Sequence, residues 1–280
     1  MATKLIIVEG LPGSGKSTTA QIVYNILKYK GINTELYSEG NYNNPADFDG
    51  VSYFNSKDFN ILEQAHSTNI DVLNKIKINY HNGYIIPYRK AIEEQQMSFE
   101  EELFNDITKH DIYELPIEIH IELILSRWND FVNNYINGDN VVIFECCFIQ
   151  NPVTFSMVRN NSHKDVTMSY INSLAGKIVP LEPILIYLEQ GDIKSSFNRA
   201  VCERPKEWIE GFTNYYTKQG YGLYNNLNGL DGVMKVIEAR SRLESDVYDS
   251  LELIKCKIDN STFNLDLLKE RINSIIEDRF

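Results

Sequence analysis

What the 280-residue chain has little of already excludes several functions. Its four cysteines are Cys146, Cys147, Cys202 and Cys256, and none forms a C-x-x-C pair. That is neither a disulfide framework nor a zinc site, and it fits free thiols in a reducing compartment. No apolar run reaches the roughly 20 residues needed to cross a bilayer. The first such stretch, Leu5 to Val8, ends at Glu9 and Gly10, far short of a signal-peptide core. Positive charge is sparse. The net charge is −12, and no basic stripe of the kind that neutralises nucleic-acid phosphates is visible. Internal repeats, low-complexity tracts and Gly/Ser/Pro-rich linkers are absent too. These absences lead us to expect a cytoplasmic protein with no nucleic-acid and no membrane partner. They carry no signal of oligomeric state.

What remains is the profile of an ordinary globular protein, with 43% hydrophobic and 24% charged residues. Leu5 to Val8 is apolar at every position, as in parallel strands covered on both faces. Ala20, Val23, Tyr24 and Leu27 then recur at helical spacing, and Gly31 stands where a C-cap is expected. Further strands are expected at 33–38, 141–144, 183–188 and 251–258, with a last helix over 265–276. Strands alternating with helices predict an α/β fold, a three-layer parallel five-stranded sheet with its ligand crevice at the strands' carboxyl ends. Residues 41–138 are too long for a simple crossover. Ile117, Ile121, Ile124, Leu125, Trp128, Val132 and Tyr135 share one helix face there. We therefore expect a core of residues 1–40 and 139–280, with a large helical insertion over 41–138 between strands two and three.

Gly10-Leu-Pro-Gly-Ser-Gly-Lys-Ser17 matches G-x-x-x-x-G-K-[ST] at every fixed position, with a strand before it and a helix after. The chemistry requires that order. Glycines let backbone N–H groups turn inward around phosphate oxygens, and the helix N-terminus adds partial positive charge. The motif predicts an ATP site formed by Gly10, Pro12, Gly13, Ser14, Gly15, Lys16, Ser17 and Thr18. Lys16 would reach the β- and γ-phosphates, and the Ser17 hydroxyl would ligate Mg²⁺.

Four shorter features, taken with this loop, resemble the thymidylate kinase and deoxynucleoside kinase group. The likeness covers about 1–40 and 139–280, and everything drawn from it is an expectation. Leu36-Tyr-Ser-Glu39-Gly40 closes strand two, where the resemblance implies a carboxylate beside the acceptor hydroxyl, able to take its proton. Glu145, ending Val141-Val-Ile-Phe144, resembles the acidic position that orients Mg²⁺. The group carries an acidic-Arg pair there, and this chain has Glu145-Cys146 instead. Arg199 and Arg204 fall where lid arginines would close over the phosphates. Asn260 and Ser261, in the loop before the last helix, stand where the adenine would lie.

The insertion is expected to shape the acceptor site. Residues 91–130 hold eleven Asp and Glu against Lys109 and Arg127, which suits a neutral or cationic acceptor or else a solvated face. Arg127 is the candidate for contacting it. The predicted activity is that of an ATP- and Mg²⁺-dependent kinase with a small-molecule hydroxyl acceptor: a nucleoside, a sugar-like metabolite or an aminoglycoside-type compound. A nucleoside monophosphate kinase, an NTPase coupled to a protein partner and a binding-only relative stay open.

Overall fold

The computed structural model describes residues 3–280. From the N-terminus the chain forms β1 (Leu5–Gly10), α1 (Lys16–Tyr29) and β2 (Thr34–Tyr37). Then come β3 (Ser52–Asn55), α2 (Ser56–Ala65), α3 (Ile70–Ile76), β4 (Ile78–Tyr80), β5 (Gly83–Ile86), α4 (Tyr88–Glu93), α5 (Glu101–Thr108) and α6 (Ile117–Tyr135). The remainder is β6 (Val141–Glu145), α7 (Gln150–Val153), α8 (Lys164–Ile178), β7 (Ile184–Glu189), α9 (Ile193–Glu203), α10 (Lys206–Thr217), α11 (Gly220–Tyr224), α12 (Gly229–Ser250), β8 (Ile254–Asp259) and α13 (Leu265–Glu277). Between α7 and α8 the helix widens into a π-type turn, Thr154–Arg159. Among the described residues no helix is long and apolar enough to cross a membrane.

The chain divides into two compact units, Met1–Glu39 with Trp128–Phe280, and Gly40–Arg127. In the first, five strands form one parallel sheet in the order β2-β6-β1-β7-β8. All six residues of β1 are buried, as its unbroken apolar run requires of a central strand. One face carries Ile6, Val8, Ile143 and Ile186, packed with Val23 and Leu27 of α1 and Leu268 and Ile272 of α13. On the other face Phe144 meets Trp128 at 5.4 Å and Phe131 at 4.8 Å between ring centroids. Helices thus cover both faces of a three-layer α/β fold. Burying side chains of this size contributes about 1.5–3 kcal/mol each. The order reverses around β1, so the loop after β1 opens at a topological switch point, where a crevice forms naturally.

Each turn follows from its residues. Gly31 takes φ +76° after α1, and its N–H reaches the Lys28 carbonyl at 3.0 Å. In the second unit Asn55 caps α2 by accepting from the Asp58 N–H at 2.9 Å. That unit corrects one expectation: the insertion is not purely helical. It holds a three-stranded antiparallel sheet, β3-β5-β4, whose Phe54 and Ile86 pack with Phe59, Leu62, Leu73 and Ile107. The strands are three or four residues long, too short for a clear alternating pattern. The unit boundary also falls inside α6, between Arg127 and Trp128, rather than at 138. The later half of α6 belongs with the first unit because Trp128 and Phe131 pack on Phe144.

Candidate functional site

The loop from Gly10 to Ser17 has the geometry its glycines permit. Gly13 and Gly15 take φ +83° and +96°, values that side-chain-bearing residues rarely adopt. A Cβ at Gly13 would lie 3.0 Å from the Ala200 Cβ, and one at Gly15 would lie 2.6 Å from the Asn260 Nδ2. The Lys16 ammonium turns back over the loop and donates to the Leu11 carbonyl at 3.0 Å. Ser14 is fully buried, and its Oγ has no hydrogen-bond partner among the described residues. Its carbonyl is held by Asn260 Nδ2 at 2.8 Å and Gln190 Nε2 at 3.2 Å.

Two carboxylates meet beside the loop. Glu145, 2% exposed at the end of β6, accepts from the Ser17 hydroxyl at 2.5 Å. Glu39, exposed just past β2, accepts from Gln150 Nε2 at 2.8 Å and from the Cys146 thiol at 3.5 Å. Donor atoms of Glu39, Glu145 and Cys146 all lie within 4.8 Å of one another. Burial pushes the Cys146 thiol well up, opposed by the nearby Lys16 charge and helped by Glu39, Glu9 and Glu145. Ser17 and Glu145 form a hard oxygen donor set of the type magnesium prefers, whereas a protonated thiol does not suit that ion.

A third carboxylate underlies this arrangement. Glu9 is completely buried and accepts the backbone N–H groups of Phe148, Ile149 and Gln150 at 2.8, 2.9 and 2.9 Å. It therefore pins the start of α7 and with it Gln150, which in turn holds Glu39. Burial raises the Glu9 pKa to about 7, only partly offset by the three amides. The Gln150 Oε1 is itself buried without a hydrogen-bond partner among the described residues, an arrangement that costs about 1–3 kcal/mol.

A cavity of about 760 Å³ joins these groups. Its lining includes Pro12, Gly13, Gly15, Lys16, Ser17, Thr18, Glu39 and Glu145, together with Arg199 and Arg204 from the α9 end. The Arg199 guanidinium lies over the Phe263 ring at 3.0 Å, and Arg204 over the Trp208 ring at 5.6 Å. Trp208, Phe212 and Tyr216, one turn apart on α10, stack in a column with centroids 4.8 and 4.1 Å apart. Tyr216 ends this column against Arg240, which also lines the cavity.

Arg240 is held by several groups inside the protein. It donates to Glu244 at 2.5 Å, to Thr154 Oγ1 at 2.8 Å, to the Tyr216 hydroxyl at 2.7 Å and to the Gln150 carbonyl at 3.2 Å. Tyr187 completes the cluster by donating to Glu244 at 2.6 Å. Burial works against the Arg240 charge, but Tyr216 and Glu244 outweigh it and raise its pKa.

Three residues singled out from the sequence lie elsewhere. Asn260 braces the phosphate loop through the Ser14 carbonyl and lines a separate hollow of about 310 Å³ with Thr262 and Arg271. Ser261 accepts from the Gly191 N–H at 2.7 Å, tying the loop after β8 to the one after β7. Arg127 belongs to the Gly40–Arg127 unit, where it donates to the Asn44 carbonyl at 3.1 Å and lies 4.8 Å over the Phe48 ring. Sequence reasoning missed Glu9, Gln150, Arg240 and the aromatic column. An acid inside an apolar strand and aromatics at i, i+4, i+8 were the signals available.

No family model matches this chain. No curated protein matches it either. A solved thymidylate kinase from Candida albicans aligns over 99% of this chain and 92% of its own, at 11% identity and a TM-score of 0.44. A likeness that low carries no argument, and the fold rests on the strand order and the loop geometry.

Proposed function

We propose that this chain is an ATP- and Mg²⁺-dependent phosphotransferase acting on the hydroxyl group of a small molecule. One observation carries the reading: the phosphate-type loop with its inward lysine opens into the same cavity as the Ser17–Glu145 pair and Glu39. A hydrolase driving a partner would share the loop and the magnesium pair, and Glu39 is what acceptor chemistry adds.

On this reading the loop's backbone N–H groups and Lys16 hold the β- and γ-phosphates. Ser17 and Glu145 would hold Mg²⁺, which when bound neutralises negative charge on the phosphates. Glu39, oriented by Gln150, takes the proton of the acceptor hydroxyl as its oxygen bonds to the γ-phosphorus. The bond to the bridging oxygen breaks, and ADP leaves with that electron pair. Arg199 and Arg204 stabilise the charge on the moving phosphoryl group.

Labelled ATP offered with a panel of hydroxyl compounds tests the proposal. We expect magnesium-dependent transfer of label to one acceptor, well above hydrolysis. Turnover that responds only to a protein partner, or label found only in inorganic phosphate, would sink it.

A further inference from the structure

The phosphate loop is held from behind at a single carbonyl. Two side-chain amides donate to the Ser14 oxygen, Asn260 Nδ2 at 2.8 Å and Gln190 Nε2 at 3.2 Å. Neither residue lines the cavity that Gly13, Gly15 and Lys16 line. Both come from adjacent strand ends. Gln190 directly follows β7 and Asn260 directly follows β8, two strands that pair in parallel as far as Glu189 and Asp259. The register thus delivers the two amides side by side, and the Asn260 N–H joins them by donating to the Glu189 carbonyl at 3.1 Å. Asn260 is buried, and Gln190 has only one orientation that satisfies it. Its Oε1 accepts from the Ser196 hydroxyl of α9, which leaves Nε2 for Ser14.

What these amides control is a peptide plane. The bond joining Ser14 to Gly15 is planar and trans, so its C=O and N–H point in opposite directions. Holding the oxygen toward the ends of β7 and β8 turns the Gly15 N–H the other way. That N–H donates to no backbone carbonyl among the described residues, and Gly15 lines the cavity beside Lys16 and Ser17. Nothing local would keep the plane so turned, because Gly15, at φ +96°, has the rotational freedom of glycine. A plane turned over would offer an anion a carbonyl oxygen instead of a donor. The bare glycine also admits the clamp, since a Cβ there would stand 2.6 Å from Asn260 Nδ2.

We propose that Asn260, assisted by Gln190, is a positioning residue for the triphosphate: by holding the Ser14 carbonyl it aims the Gly15 N–H at the phosphate oxygens. The inference rests on the phosphate-binding part of the kinase reading. It differs from a contact between Asn260 and the adenine, because a base contact acts on nucleotides alone, whereas a clamp on the loop acts on any polyphosphate.

The experiment is an equilibrium titration of the native protein, Asn260→Ala and Gln190→Met with two probes in Mg²⁺: ATP, and inorganic tripolyphosphate, which carries no base. Tripolyphosphate is read by its displacement of labelled ATP, so that weak binding is measurable. Each variant is titrated well below its melting temperature, so that lost stability does not register as lost affinity. We expect Asn260→Ala to raise the Kd of both probes by the same factor, about tenfold. Gln190→Met removes the longer bond and should raise both a few-fold; it carries the test by itself if Asn260→Ala does not fold. Native affinity for both probes in the variants overturns the inference and leaves the kinase reading intact. So does a loss confined to ATP, which would assign Asn260 to the base. A native protein that binds neither probe overturns both.

Discussion

The two sides of the cavity differ in how the chain makes them. The phosphate side comes from one unbroken run, Gly10 to Ser17, and acts through main-chain groups whose positions follow from glycine and from the helix start. The other side, where we place the acceptor, is assembled from side chains on β6, α7, α10, α12 and the end of β2, and several are held by a neighbour: Glu39 by Gln150, Gln150 by Glu9 and Arg240. A site built from relayed contacts depends on residues that never touch a ligand.

Substitutions can break that contrast or sharpen it. The largest effect is expected for Lys16→Ala, which removes the one charged side chain of the phosphate side. ATP turnover should fall by about 10³ or more, and unchanged turnover would end the mechanism. On the other side Glu39→Gln should lower kcat by about 10²–10⁴ while the affinity for ATP, measured by equilibrium titration, stays near native. Arg240→Met tests the relay itself. It leaves the buried Glu244 without its cation, and denaturant unfolding should show a loss of about 3–5 kcal/mol. A variant as stable as the native protein would show that the cluster is incidental.

Two smaller effects follow. The Glu9 carboxyl stands at about 7 in the folded chain against 4.5 as its ordinary value. Its contribution to stability is therefore complete below about pH 4.5 and is lost as pH rises through about 7. Between about pH 5 and pH 8 the native protein should lose on the order of 1–3 kcal/mol more stability than Glu9→Gln. Parallel pH profiles would place the Glu9 titration elsewhere. Trp208→Ala removes the ring beneath Arg204, and a few-fold fall in kcat is expected from a contact of about 0.5–1 kcal/mol. An unaltered rate would mean that Arg204 needs no such support.

The same contrast explains how much could be read from the residues alone. The strands β1, β6 and β7 and the loop were legible because each is a local pattern: an apolar run of strand length, or fixed glycines before Lys16 and Ser17. The strands β3, β4 and β5 were not. Their stability lies in pairing such as Phe54 with Tyr84, across a sequence gap that no local window spans. Glu145 and Ser17 were each recognisable, yet their hydrogen bond exists only because β6 lies beside β1. Arg240 was invisible as a participant, since four separate elements supply its partners. Asn260 was legible only as part of a loop expected beside the nucleotide, and nothing local told that its amide reaches the Ser14 carbonyl.

The contact at Gly13 bears on how this chain could vary. Its missing side chain lets the phosphate loop lie flush against Ala200 on the helix that carries Arg199. Positions 13 and 200 therefore share one small volume, and enlarging either pushes the loop away from α9. Ala200→Gly would make room for a methyl group at 13 without relieving the φ of +83° there. Natural or designed diversification of this protein should leave both positions small, whatever happens to the residues that choose the acceptor.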